Sequence, residues 1–374
     1  MIKVLHIASF IGNVGDNASH QGFYSLLGEL DLEYSVTQLE IRKSYNNYTE
    51  KDKLNFDLEF VHFANKFDLV VVGGGGFLDY WVEGSATGTT FNIELELLDK
   101  IEAHILFTSI GCSPSKKVPK ENYRKFELFF KFILNKNNIT VALRNDGSHD
   151  SLRRDFPLID ISLVPMLLDH AFFYQPSYLN QISIDGDYVC INITNDQLEM
   201  YNDGRKITSK DWYHEELATL VESLALDLGY KIVFVAHIHS DVIAISEFMP
   251  YLSENVKREN LVIAPYYQGD RGADLIFGLY ANSSFVIGSR YHCNVCSMVS
   301  DVATVGLSPL KRIQFIHEQL SLSDSYFFIE PGFAQKILSL DLESVLIDKA
   351  QLESLKKMTL SYYRKLFSNL VNIN

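Results

Sequence analysis

Several absences frame this sequence. It has four cysteines in 374 residues, Cys112, Cys190, Cys293 and Cys296, too few for a disulfide framework, and no second pair accompanies Cys293-x-x-Cys296 to complete a zinc set. The thiols are expected to be reduced and to act as small packing groups. No Lys/Arg run offsets a formal net charge of -14, from 33 Lys+Arg against 47 Asp+Glu. Such a surface repels phosphate polymers, which argues against nucleic acid as a partner. An anionic substrate must then be captured by a few placed cations and backbone N–H groups. No stretch approaches the about 20 apolar residues of a spanning helix, and the N-terminus has no small-residue cleavage site. A soluble, cytoplasmic protein without a transmembrane segment is expected.

The chemistry-bearing signatures that are missing narrow the function further. No Lys-Ser/Thr follows a glycine turn, so there is no Walker motif. No G-x-S-type nucleophile and no pair of glycosidase carboxylates can be defended. His237-Ile238-His239 lacks a carboxylate and histidine set with metal-ligand spacing, so neither a metal nor a cofactor is called for.

What is present is an α/β rhythm. With 47% hydrophobic residues the chain can bury sizeable cores, and its length predicts two domains. Apolar strand-like runs at Lys3–Phe10, Leu69–Val72, Ala103–Ile110 and Ile139–Leu143 alternate with helical segments, and Ile159–Val164 reads as a last short strand of this half. After a linker across Gln175–Asp187 the pattern restarts at Tyr188–Ile193. The expected architecture is two Rossmann-like doubly wound domains facing a cleft, residues 1–175 and 187–340, with a C-terminal helix over 341–374 crossing back to the first.

Candidate site residues stand at the carboxyl ends of these strands. Gly12-Asn13-Val14-Gly15-Asp16-Asn17 follows the first strand, with Asp16 or Asn17 available as helix cap. Gly73-Gly74-Gly75-Gly76 follows a β-branched run and exposes backbone N–H groups, with Asp79 just beyond. Arg144 ends another strand, where a guanidinium can grip a carboxylate or phosphate bidentately. Gly288-Ser289-Arg290-Tyr291-His292 joins a buried strand to a helix, placing a cation and a titratable ring at a helix N-terminus that favours an anion. Tyr291 reads mainly as packing, and Lys311, after Pro309, can neutralise an acceptor phosphate.

These residues resemble the polysaccharide pyruvyl transferase family. The matching pieces are Gly12 to Asp16, Asp68 to Asp79, Ser109 to Pro114, Arg144 with Ser148, Pro165 to Asp169, and Ser289 to His292, in the family's order. The resemblance implies a GT-B-like fold, with the N-terminal domain on the acceptor side and the C-terminal on the donor side. It implies phosphoenolpyruvate as donor substrate, contacted by Arg144, Arg290 and His292, and a sugar in a cell-surface or exopolysaccharide glycan as acceptor, reached peripherally if lipid-linked. His292 is the expected proton donor or stabiliser of leaving phosphate, and Asp79 or Asp16 the expected base. Gly15, Gly74, Gly75, Tyr291 and Lys311 complete the expected substrate contacts. A nucleotide-sugar glycosyltransferase and a non-catalytic carbohydrate-binding relative are the competing readings.

Overall fold

The computed structural model describes residues 1–177, 182–198, 200, 210–341 and 345–371. The chain forms two compact units. The first comprises Met1–Phe10, Phe23–His170 and Lys356–Asn374, and the second Ile11–Gly22 and Ala171–Leu355. The division thus differs from a simple N-terminal and C-terminal split, because the glycine turn after the first strand belongs with the second unit. Long-range hydrogen bonds account for this. Val14 N donates to His237 O at 3.3 Å, and Asn17, His20 and Gln21 all meet the Asp270 carboxylate.

In the first unit, β1 (Ile2–Ala8), β2 (Tyr34–Glu40), β3 (Leu69–Gly73), β4 (His104–Ile110), β5 (Ile139–Arg144) and β6 (Met166–Leu167) form one sheet in the order β2-β1-β3-β4-β5-β6. All its pairings are parallel. Parallel neighbours need crossovers, which are supplied by α1 (Val14–Glu29), α2 (Leu58–Ala64), α3 (Leu95–Leu98), α4 (Lys120–Leu134) and α5 (Ser148–Asp155). The β3 run is buried at every position, as a strand covered on both faces must be. Helix α4 seats Phe126, Phe129, Phe130 and Ile133 in the core. That spacing keeps one face apolar, and each phenyl contributes about 1.5–3 kcal/mol by leaving water.

The strand expected at Ile159–Val164 is instead a 3-10 turn at Ile161–Leu163, and pairing begins two residues later at Met166. The reason is local: the Asp160 carboxylate accepts from Ser162 N and Ser162 Oγ and so holds a turn.

In the second unit, β7 (Tyr188–Asn192), β8 (Lys231–Phe234), β9 (Leu261–Ile263), β10 (Phe285–Gly288), β11 (Ala303–Leu307) and β12 (Tyr326–Phe327) form a second parallel sheet, ordered β12-β11-β10-β7-β8-β9. Its helices are α6 (Lys210–Glu222), α7 (His239–Phe248), α8 (Glu254–Glu259), α9 (Gly269–Ala281), α10 (Tyr291–Val299), α11 (Lys311–Gln319) and α12 (Phe333–Leu338). From β7 the chain winds to β8 and β9 on one side and returns to β10, β11 and β12 on the other. The switch point between β7 and β10 is where doubly wound sheets open a crevice at their carboxyl ends.

Helix α13 (Lys349–Val371) ends the chain. Its last two-thirds belong to the first unit, as expected of a returning C-terminal helix. There Tyr363 is fully buried, its hydroxyl bonded to Thr108 Oγ1 and, at 2.7 Å, to His170 Nε2. Asn180 of the expected linker and Leu342, the expected start of the last helical stretch, lie outside the described residues. No helix among the described residues is long and apolar enough to cross a membrane.

Candidate active site

The switch point of the second unit carries the Ser289 to His292 stretch. Strand β10 ends at Gly288, and α10 starts at Tyr291 with Arg290 as its N-cap. Asn192, ending β7, ties the two strands: its backbone O accepts from Ser289 N at 3.1 Å and its side-chain Oδ1 from Arg290 N at 3.1 Å. Asn294 closes the turn from inside the helix, donating to Gly288 O and Arg290 O.

The Arg290 guanidinium is buried and already bonded. Its Nε donates to both oxygens of Asp241, at 2.7 and 3.0 Å, and its Nη2 to Asp241 Oδ1, Thr194 Oγ1 and Asp196 Oδ1. Burial alone would lower the pKa of Arg290, but Asp241 and Asp196 outweigh it and raise that pKa above the ordinary value. Asp241, in the first turn of α7, also accepts from His237 N at 2.9 Å and Asn192 Nδ2 at 3.3 Å. One buried carboxylate thereby fixes the ends of β7 and β8, the start of α7 and the arginine.

His292, one residue inside α10, meets the Gly12 to Asp16 turn. Its Nδ1 lies 3.9 Å from Asp16 Oδ1. A Cβ placed on Gly15 would fall 2.6 Å from that same nitrogen, closer than real Cβ contacts allow. Asp16 is held in turn by Asn13 Nδ2 at 2.9 Å, and Asn13 Oδ1 accepts from Gly15 N at 3.0 Å. Asn13, not Asp16 or Asn17, therefore caps α1, which leaves the Asp16 carboxylate turned to the histidine. Tyr291 is buried and meets the His292 ring edge-on. His237 is fully buried, its Nε2 bonded to Tyr280 OH at 2.8 Å. Burial, with Arg290 and His292 adding to it, pushes its pKa well below the ordinary range. Lys311 is exposed at the start of α11. Among the described residues no three His, Cys, Asp or Glu side chains group as metal ligands.

In the first unit the glycine run is shaped by backbone pairing more than by an approaching ligand. A Cβ on Gly73 would fall 1.8 Å from Thr108 O. Gly74 N donates to Ser109 O, Gly111 N to Gly75 O and Leu78 N to Gly111 O. The expectation that all four glycines offer open N–H groups is therefore corrected at Gly74, whose N–H is used within the sheet end. Asp79 is buried, and its Oδ1 accepts from Ser113 N at 2.7 Å.

Arg144 closes the same cluster. Its Nε donates to Asp146 at 2.6 Å and its Nη1 to Asp169 at 3.3 Å, with all three side chains almost fully buried. Asp146 also accepts from Ser148, whose Oγ accepts from Cys112 N at 2.7 Å. Four separate pieces of sequence, ending β3, β4, β5 and β6, thus become one polar network.

The sequence reading missed the carboxylates that hold both arginines: Asp146, Asp196 and Asp241. Asp241 had one legible signal, an acidic residue in the first turn of a helix directly after a strand. Nothing local marked Asp196.

A family model described as polysaccharide pyruvyl transferase matches residues 13–310. A comparison with curated proteins finds no match. Among solved structures the chain is similar to a glycosyltransferase from Rickettsia africae ESF-5, with 12% identity, 99% of this chain and 98% of that one covered and a TM-score of 0.57. It is similar also to an S. aureus MnaA-UDP co-structure, with 13% identity, 98% of each chain covered and a TM-score of 0.54. A third is Anabaena HepE in complex with UDP and glucose, with 10% identity, 100% of each chain covered and a TM-score of 0.53. At such identities the likeness establishes the fold, two Rossmann-like domains of GT-B type.

Proposed function

The chain belongs to the polysaccharide pyruvyl transferase family, and from that premise we propose that it transfers a pyruvyl group from phosphoenolpyruvate to two hydroxyls of a sugar in a glycan, forming a ketal and releasing phosphate. The observation that carries this reading is the junction of two distant sequence pieces in the second unit. Gly15 and Asp16 lie against His292, beside an Arg290 locked in place.

The chemistry follows from the groups available. Phosphoenolpyruvate is an enol phosphate ester that also carries a carboxylate. Protonation of its methylene carbon creates an oxocarbenium-like centre at the neighbouring carbon. A sugar hydroxyl adds to that centre and passes its proton to a carboxylate base such as Asp16, the carbon–oxygen bond to phosphate breaks, and a second hydroxyl closes the ring as the ketal, its proton leaving on the released phosphate.

His292 is the proton donor, or the group that steadies departing phosphate, at a helix N-terminus whose N–H groups favour an anion. Asp16 stands beside the ring, its Oδ1 3.9 Å from Nδ1. Arg290 supplies fixed positive charge, while Arg144, sealed between Asp146 and Asp169, positions the turn at Gly111. A Cβ there would meet Asp146 and Arg144 within 3.1 Å. Asp79 holds the adjacent turn at Ser113.

The test is phosphate release from phosphoenolpyruvate across a panel of sugars, sugar nucleotides and lipid-linked sugars. Release with at least one acceptor is expected, with loss in His292→Ala and Arg290→Ala variants that keep the native circular dichroism. Binding of a nucleoside diphosphate without any binding of phosphoenolpyruvate would overturn it in favour of nucleotide-sugar transfer.

A further inference from the structure

Both arginines are held by two carboxylates, but the two settings differ in a way that has consequences for ligands. Around Arg144 the partners Asp146 and Asp169 are 2% and 0% exposed at the side chain. Neither can leave without stranding a buried charge. Around Arg290, Asp241 is equally closed at 0%, whereas the Asp196 side chain is 35% exposed. Asp196 lies on the loop after β7 and reaches Arg290 Nη2 at 2.7 Å from the solvent side. It shares Thr194 with the arginine: the Thr194 hydroxyl donates to Asp196 Oδ1, and Arg290 Nη2 donates to Thr194 Oγ1 at 3.1 Å.

We propose that the Asp196 carboxylate is the internal occupant of an anion subsite formed by Arg290 Nη2 and Thr194 Oγ1, and that an anionic group of the substrate takes its place when it binds. The inference rests on the reading that Arg290 meets the donor's anionic groups. It adds to that reading that the site must first give up a carboxylate of its own.

Three observations converge on exchange at this position. The first is charge: Arg290 with Asp241 and Asp196 carries one more negative than positive charge, so a phosphate or carboxylate added beside an undisplaced Asp196 meets repulsion in a poorly solvated place. The second is geometry: Asp241 binds the guanidinium through Nε and Nη2, and this hold persists when Asp196 departs. The arginine keeps its orientation and loses only its outer partner.

The third is a reserve of bonding capacity in the same turn. Ser289, directly before Arg290, keeps its Oγ buried with no hydrogen-bond partner among the described residues. A buried hydroxyl without a partner forgoes a hydrogen bond, and a bound anion can accept it. Burial alone would raise the Asp196 carboxyl, yet Arg290 and Thr194 outweigh it and keep that carboxyl below its ordinary range, so the occupant is itself an anion.

The experiment compares Asp196→Asn and Asp196→Ala with the wild type in binding inorganic phosphate, by isothermal calorimetry at fixed ionic strength, and in the KM for phosphoenolpyruvate. The expected result is phosphate binding at least fivefold tighter in both variants, with a KM lowered by a similar factor. Asp241→Asn serves as the opposite control, with phosphate binding weakened at least fivefold. Equal or weaker phosphate binding in both Asp196 variants overturns the exchange. Tighter phosphate binding with no turnover of phosphoenolpyruvate in any form leaves the exchange standing and removes the pyruvyl reading. Turnover in the wild type with no gain in either Asp196 variant does the reverse.

Discussion

Gly15 and His292, far apart in sequence, are packed so closely that a Cβ on the glycine would stand 2.6 Å from the imidazole Nδ1. The glycine is required by the approach of a side chain, and that side chain is the one proposed to move the proton. A Gly15→Ala substitution must push the ring from its place beside Asp16. The expected outcome is a fall in kcat/KM for phosphoenolpyruvate of tenfold or more, about 1.4 kcal/mol of transition-state stabilisation, with thermal stability little changed. Steady-state phosphate release and a melting curve on the same preparation check it. An alanine variant with native kinetics would mean that His292 does not act from this position.

Asp241 binds the ends of two strands, the start of α7 and Arg290. Removing it leaves a buried guanidinium with the partly exposed Asp196 as its one remaining carboxylate among the described residues. Breaking one side of a buried ion pair costs about 3–5 kcal/mol, so Asp241→Ala should lose that much in urea unfolding. Asp241→Asn keeps one accepting oxygen and the volume of the side chain and should lose less. A loss below about 1 kcal/mol for alanine would show that the network is dispensable to the fold.

Three buried histidines make stability depend on pH. Burial holds His170 down to about 4 and His317 to about 3 against an ordinary 6.5, and His237 is lowered also. The unfolded chain takes up protons below about 6.5 that the folded chain refuses. Their contribution is therefore complete above about pH 6.5 and is lost as pH falls from there towards 4. Each such group adds up to about 1.4 kcal/mol per pH unit to the slope. Urea midpoints at pH 7, 6 and 5 should fall steadily, and His317→Gln, which keeps polar contacts near Ser325 and Asn294, should flatten the decline by about one such increment. Parallel slopes for variant and wild type would refute the assignment.

All four cysteines are buried thiols. Burial pushes the Cys293 thiol up to about 12 and raises Cys112 and Cys190 well above the ordinary value. Because the thiolate is the reactive form, native protein should give essentially no colour with Ellman's reagent at pH 8 and four thiols per chain in denaturant. Rapid reaction of any thiol in the native state would contradict this packing.

The sequence by itself determined the alternation of buried strands and covering helices. It did so because apolar periodicity, β-branched runs such as Val70 to Val72 and turn residues act within a few positions of one another. It also put Arg290 and His292 at the start of a helix, a consequence of the local strand-to-turn chemistry at Gly288 and Ser289. It misplaced one short strand because Asp160 favoured a turn through bonds to its neighbour Ser162. Only the tertiary structure decided that the Gly12 to Asp16 turn belongs with the second unit. It alone supplied Asp241 as partner of Arg290 across 49 positions and Asp196 across 94, and it alone turned the glycine run inward onto Ser109 and Gly111. A charge or an N–H group in a sequence looks available until folding gives it partners, and those partners are set by which strand ends meet, which no local pattern records.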